Sequence, residues 1–252
     1  MVAGPDRCAS APPGRRADPL GPSQVPALQA EGGGGGMALK LFSFPGDKNS
    51  YKGLVAAQYA GVAVELAKDF KMGVTNKEAA FLQKNPHGKV PVLQAEGGCV
   101  FESNAIARYI ARLSDCGLFG ATLIDHGHVE QWIDFASNEI DAPLSSWVLP
   151  VLGVWPYSEA KEAAAIAAVK KALAVLDAHL ATRTYLVGDF VTLADIVACC
   201  NLLPGMVNVM DGKFMQEFGN VQRWFTTCVA KPEFSSVMGT VTVAKKAKKA
   251  AK

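Results

Sequence analysis

Residues 85–113 constrain this chain more than any other stretch. They read NPHGKVPVL, then a short turn, then VFESNAIARYIARL. Pro86 and Gly88 break the chain, and residues 90–93 form a short apolar run that predicts a strand. Ile106, Ile110 and Leu113 recur at i, i+4 and i+7, which predicts a helix. Pro91 falls inside the predicted strand, where it has no N–H to give to a ladder. It therefore marks an edge or a cis peptide in a tight bend. Glu102 and Ser103 stand where the helix begins, so backbone N–H groups and a hydroxyl converge on a point suited to an anion.

The segments before this stretch give it a setting. Residues 38–42 read as a strand and 44–47, FPGD, as the loop after it. Residues 51–59 show helical spacing through Tyr51, Leu54, Val55 and Gln58-Tyr59, with Gly61 as the stop. A second strand is predicted over 62–66. Thr75 and Glu78 form a T-x-x-E pattern that predicts a capping box opening a short helix through Leu82. The resulting order is β-α-β-α-β-β-α. A helix between consecutive strands implies a parallel pair, and the closing hairpin adds antiparallel strands. That order is thioredoxin-like.

After a linker the strands stop. Val129, Trp132, Ile133, Ala136 and Ile140 share one face of a predicted helix over 125–148, with Pro143 marking an end or a kink. Residues 159–180 predict the clearest helix, with Ile166, Val169, Leu173, Leu176 and Leu180 along one stripe and many alanines favouring helix. Thr192 and Asp195 predict a capping box, with Val191 and Ile196 placed as a hydrophobic staple. Helical pieces follow at 214–218 and 221–229, and Pro232 interrupts. The expected organisation is an extension over 1–36, a thioredoxin-like domain over 37–118, a linker over 119–124, an all-helical domain over 125–243 and a Lys-rich tail over 244–252. The fold class is α/β plus all-α.

Composition bounds the function. Hydrophobic residues at 50% and charged residues at 19% fit a folded globular core. A net charge of +2 does not by itself call for nucleic acid. Residues 1–36, rich in Pro, Gly, Ala and Arg, read as disordered. They allow a transit peptide, but are read here as upstream sequence ahead of a start at Met37. The tail AKKAKKAAK has no aromatic residue for stacking bases and reads as a solvated, disordered segment rather than a nucleic-acid site. The six cysteines show no C-x-x-C pair. Adjacent Cys199 and Cys200 in an apolar run read as buried free thiols, which points to a reducing compartment and a cytoplasmic location. No apolar run is long enough to span a bilayer, so no membrane partner is expected. His126 and His128 have no companion at metal spacing, and no metal or other cofactor is called for.

Gly88-Lys89-Val90-Pro91 followed by Glu102-Ser103-Asn104-Ala105-Ile106 resembles the glutathione-site signature of the glutathione transferase superfamily. The Thr192–Asp195 box resembles the one in that superfamily's helical domain. Segments such as LVAAQYAGV, DFKMGVTNK, HVEQWIDFA and TYLVGDFVTLADIV carry the resemblance further, to the amino-terminal domain of the elongation factor 1-gamma family, plant and algal type. The resemblance implies a scaffold role in translation elongation, with the exchange-factor subunits of the elongation factor 1 complex as partners. A homodimer is compatible with it. The alternative it implies is an active transferase conjugating glutathione, as ligand or co-substrate, to electrophiles. Val90 and Pro91 would then offer backbone to the cysteinyl part, Glu102 and Ser103 would hold the γ-glutamyl end, and Lys77 and Lys89 would stand near the glycyl carboxylate.

The catalytic side is weaker. A transferase aims a donor, a Ser or Tyr hydroxyl after the first strand, at the glutathione sulfur to favour the thiolate. Matching Lys40-Leu41-Phe42 to plant-type transferases puts Asp47 at the serine position. A carboxylate there only accepts. It would repel a thiolate about 4 Å away by up to roughly 4 kcal/mol at an effective dielectric near 20. Asn49, Ser43 and Ser50 remain as substitutes, with helix capping the expected job of Ser50. Activity is therefore expected to be weak or absent.

Overall fold

The computed structural model describes residues Leu39–Ala250, so the expectations for 1–36 lie outside the described residues. Four strands, β1 (Leu39–Phe42), β2 (Val64–Leu66), β3 (Val92–Ala95) and β4 (Gly98–Phe101), form one sheet in the order β2-β1-β3-β4. β1 and β2 are parallel and joined by α1 (Lys48–Ala60); β1–β3 and β3–β4 are antiparallel. This is the predicted arrangement, because a helical crossover and a two-residue hairpin leave no other local pairing. Gly97, at φ 84°, supplies the hairpin's left-handed residue. Gly61 ends α1 as expected, at φ 65°, with its N–H turned back onto the Ala57 and Gln58 carbonyls.

Two local expectations in this layer are corrected. Thr75 opens no capping box. It begins a single 3-10 turn, Thr75–Lys77, and its hydroxyl accepts the Lys71 N–H at 3.1 Å. Glu78 precedes the short α2 (Ala79–Leu82) without a side-chain cap. The buried face of α1 matches the prediction only at Val55. Lys52, Gly53, Val55, Ala56 and Ala57 are buried, whereas Tyr51, Leu54 and Tyr59 are only partly so. A lysine in the buried row hid the period.

α3 (Ser103–Ala111) returns across the sheet and packs on α1. Gly53 permits the close approach: a Cβ there would lie 3.0 Å from Ile106 Cγ2 and 3.3 Å from Ile110 Cδ1. The helical part is α4 (Leu123–Phe135), α5 (Ala142–Val151), α6 (Glu159–Leu180), α7 (Leu193–Asn208), α8 (Gly212–Met215), α9 (Gly219–Val229) and α10 (Pro232–Met238). The single helix predicted over 125–148 is interrupted by a π-helical segment, Ala136–Asp141, just before Pro143, which has no N–H to continue an α ladder. The Ala136 carbonyl takes the Asn201 side-chain amide instead, at 3.0 Å. Pro232 starts α10 rather than interrupting, since the first turn of a helix does not need its N–H.

The core is continuous. Leu41 and Leu93 of the sheet, Val55 of α1, Ile106 and Ile110 of α3, and the buried stripes of α4 to α10 belong to one cluster. Burying each such large aliphatic side chain is worth about 1.5–3 kcal/mol. In α6 the predicted stripe is buried at Val169, Leu173, Leu176 and Leu180, with Ile166 at its edge. Asp195 anchors α7. One oxygen accepts the Thr192 N–H at 2.8 Å and hydroxyl at 3.0 Å, and the other the Leu186 N–H at 2.9 Å and Trp224 Nε1–H at 2.8 Å. Burial pushes this carboxyl's pKa up, and the four donors oppose the push.

The expectation of a disordered tail is corrected over its described part. The Ala244 and Lys248 N–H groups donate to the Met206 and Asn208 carbonyls, each at 2.8 Å, and the Ala247 N–H to Asp211 at 3.0 Å. Lys248 Nζ reaches Asn208 Oδ1 at 2.7 Å. The last carbonyls of α7 lack intrahelical partners and sit at the negative end of its dipole, which suits these donors.

Candidate functional site

Strand register brings three distant segments to one end of the sheet. Val92 pairs with both Phe42 and Phe101. The loop after Phe42, the Val90-Pro91 step before Val92 and the Glu102-Ser103 step after Phe101 therefore leave the sheet side by side. The Val90-Pro91 bond is cis. Val90 lies outside both ladders, so its backbone is not committed to the sheet. Lys89 is exposed, and its carbonyl accepts the Asn85 side-chain amide at 2.8 Å. Lys77 is exposed on the 3-10 turn, and His87 is an exposed loop residue.

Glu102 adopts φ 71° and ψ 115°, a conformation that costs a non-glycine residue about 1–3 kcal/mol. No side chain caps α3, so the N–H groups of its first turn remain available beside the Ser103 hydroxyl. The anion-suited corner expected from Glu102-Ser103 has this backbone form.

The loop after β1 commits its polar side chains to one another. Asp47 is the N-cap of α1 and is 7% exposed. Its carboxylate accepts the Asn49 N–H at 3.0 Å, the Ser50 N–H at 3.2 Å, the Ser43 hydroxyl at 2.9 Å and the Ser50 hydroxyl at 2.7 Å. Asp47, not Ser50, therefore caps the helix, and both loop hydroxyls are spent on it. Asn49 accepts from Lys48 Nζ at 3.2 Å, which leaves its amide N–H groups as the uncommitted side-chain donors of this loop among the described residues.

Beyond this loop lies a cleft of about 590 Å³. Phe44, Asp47 and Asn49 form one side, Leu144 and Val148 of α5 another, and Pro204 and Val207 of α7 the third. Lys48 Nζ crosses it to Asp141 Oδ1, at 2.7 Å, tying α1 to the π-helical segment. Such a part-buried pair positions elements more than it stabilises them.

The residue that sequence reasoning missed is Lys52. Its side chain is buried and its Nζ donates to Ser103 Oγ and Asn104 Oδ1, both at 3.1 Å. Asn104 in turn donates to Ser137 Oγ, at 2.8 Å, so α1, α3 and the π-helical segment are linked. Burial, reinforced by the Lys48 charge, pulls the Lys52 pKa down to about 8. A lysine within an otherwise small and apolar row of α1 was the available signal.

Two family descriptions match the chain: "Glutathione S-transferase, N-terminal domain" over residues 37–112, and "Glutathione S-transferase, C-terminal domain" over 136–232. The chain belongs to the glutathione transferase family. It is 54% identical over 206 residues to elongation factor 1-gamma 1 of Oryza sativa subsp. japonica, a match covering 81% of this chain and 49% of that protein. The chain thus spans about half the length of the curated relatives it matches. The GST-like domain of elongation factor 1-gamma from Saccharomyces cerevisiae superposes with a TM-score of 0.72 at 22% identity, covering 85% of this chain and 99% of that one. A theta class glutathione S-transferase from Xanthomonas axonopodis pv. citri, with glutathione bound, gives 0.69 at 24% identity, covering 81% and 99%. These two likenesses are of fold.

Proposed function

We propose that this chain is the glutathione-transferase-like scaffold part of an elongation factor 1-gamma, that it binds glutathione, and that it turns over electrophiles weakly or not at all. The 54% identity to the rice factor supports the translation role. Its partners on this reading are the exchange-factor subunits of the elongation factor 1 complex. Val90 and Pro91 would meet the cysteinyl backbone, Glu102 and Ser103 the γ-glutamyl end, and Lys89 the glycyl carboxylate. Lys77, on its exposed turn, is a weaker neighbour of that carboxylate.

One observation favours this reading over a working transferase. Both loop hydroxyls are donated to Asp47, so neither is free to stabilise a thiolate, and the carboxylate itself disfavours one. The test has two arms on the full 252-residue chain. Calorimetry should detect glutathione, while chlorodinitrobenzene conjugation stays near the uncatalysed rate. A tagged chain should capture purified exchange subunit. Fast conjugation would reverse the enzymatic half, and failure to bind the exchange subunit would remove the scaffold half.

A further inference from the structure

Lys52 is a cation taken out of water with no carboxylate in contact among the described residues: it is 2% exposed, and none lies within 4.0 Å of its Nζ. Its partners are two neutral oxygens, Ser103 Oγ and Asn104 Oδ1. An arrangement of this kind is unfavourable relative to an apolar side chain of similar volume. A tie between α1 and α3 does not need it, because Gly53, Ile106 and Ile110 already hold those helices together. The position of the charge is more informative. It lies directly behind the hydroxyl that opens α3, where uncapped N–H groups and the unusual Glu102 backbone already favour an anion.

The hydrogen-bond directions add to this. Ser103 has one proton to donate. Because Lys52 occupies an Oγ lone pair, that proton turns away from Lys52, towards whatever occupies the corner. A carboxylate accepting it would sit a few ångströms from Nζ, inside the range where a poorly solvated charge is felt strongly.

We propose that Lys52 is a positioning residue and the buried counter-charge for an α-amino-acid carboxylate held at Ser103, so that this corner selects γ-glutamyl compounds that keep that carboxylate over those that lack it. The proposal rests on the reading of this corner as part of a glutathione site. It adds to that reading a residue that the strand-turn-helix signature does not contain. A merely structural Lys52 would favour neither ligand.

The experiment compares S-methylglutathione with its analogue lacking the γ-glutamyl α-carboxylate, by calorimetry on the full chain at pH 6.5. The S-methyl group removes thiol titration from the comparison. The intact ligand should bind about 10- to 100-fold more tightly, the range of one hydrogen bond to a charged group. Lys52→Met should bring the two affinities within about threefold by weakening only the intact ligand. A folded Lys52→Met protein that keeps a tenfold preference overturns the proposal, as does a parent that binds both ligands equally. If the parent binds neither, the glutathione-site reading itself fails, an outcome distinct from binding without preference.

Should Lys52→Met not fold, as judged by circular dichroism, a pH series on the parent decides. The charged and titratable groups acting on Lys52 are Lys48 and Asp47 at the start of α1, Asp141 in the π-helical segment and Cys200 on α7. The Cys200 thiol is pushed up to about 12 by burial and stays neutral in the range used. With Lys52 titrating near 8 when the site is empty, the preference should fall about fourfold between pH 6.5 and 8.5. A preference that is flat over that range overturns the proposal.

Discussion

Replacing Asp47 by serine tests the chemistry of the loop most directly, because structure and turnover should move in opposite directions. The carboxylate holds four donors, two backbone and two hydroxyl. Serine is about as good an N-cap, so the cap itself loses only a few tenths of a kcal/mol. The hydroxyls of Ser43 and Ser50, both buried, lose a charged acceptor. One can re-pair with the introduced hydroxyl, and leaving the other short of a partner costs about 1–3 kcal/mol. The whole change should therefore destabilise the chain by about 1–3 kcal/mol, read as a lowered urea midpoint at unchanged slope.

In exchange, if glutathione binds as proposed, a repelling charge leaves the loop that would face the sulfur and a hydroxyl donor is released there. A shift of one unit in the thiol pKa, a third of the full Coulomb figure, raises the thiolate fraction about tenfold below that pKa. Conjugation of chlorodinitrobenzene at pH 6.5–7.5 should rise by about that factor. Asp47→Asn, which removes the charge without adding a hydroxyl, should rise less. If the parent is already fast and Asp47→Ser slows it, the donor is elsewhere, and Asn49 becomes the first candidate. If glutathione still binds but the rate does not change, the carboxylate is too far from the sulfur to matter.

Other substitutions have definite expected outcomes. Asp195→Asn should cost about 2–4 kcal/mol in chemical denaturation, since each carboxylate oxygen accepts two donors and either amide orientation strands at least one buried N–H; a loss under about 1 kcal/mol would refute the four-donor account. Gly205→Ala should destabilise by about 1–3 kcal/mol and reshape the cleft, because the new Cβ would come within 2.9 Å of Leu144 and 2.6 Å of Met210; an unchanged melting temperature would contradict it. Lys52 binds its proton less readily folded than unfolded. The unfolded chain therefore carries the extra proton between about pH 8 and 10.5, so the stability of the ligand-free parent relative to Lys52→Met should rise with pH across that window and be lost as pH falls towards 8. Parallel stability curves for the two proteins would show that the lysine titrates normally.

What could be read from sequence was what is decided locally. α6 is set by its own alanines and apolar stripe, and Thr192 and Asp195 meet within one turn. Pro91 marks an edge or a cis step, of which the structure has the cis step, and the strand order follows from the spacing of short elements. Thr75 and Glu78 show the limit of that reasoning: the right pair of residues stands at the right spacing, but the Lys71 amide reaches Thr75 first. Asp47 looked like a lone charge facing a ligand because Ser43 and Ser50 turn towards it only once the loop is folded. Lys52 could not be separated from an ordinary surface lysine until Gly53 let α3 close over α1. The cleft was not legible at all, since its walls come from three separate segments, 44–49, 141–154 and 201–208.

The continuous core limits how a ligand can enter and leave. α1 packs against both α3 and α7, and the same buried cluster runs from the sheet through the helices, so among the described residues no soft seam divides the walls of the cleft. Opening by rotation of one layer against the other would expose that apolar interior to water, a cost met only during global unfolding. Exchange must instead pass through the existing mouth, by side-chain movement. The Lys48–Asp141 bridge, which lines the cleft, is one contact that can break and re-form on the fast timescale of part-exposed side chains. Residence time in this cleft would then be set by local contacts at its rim, with the layers on either side acting as fixed jaws.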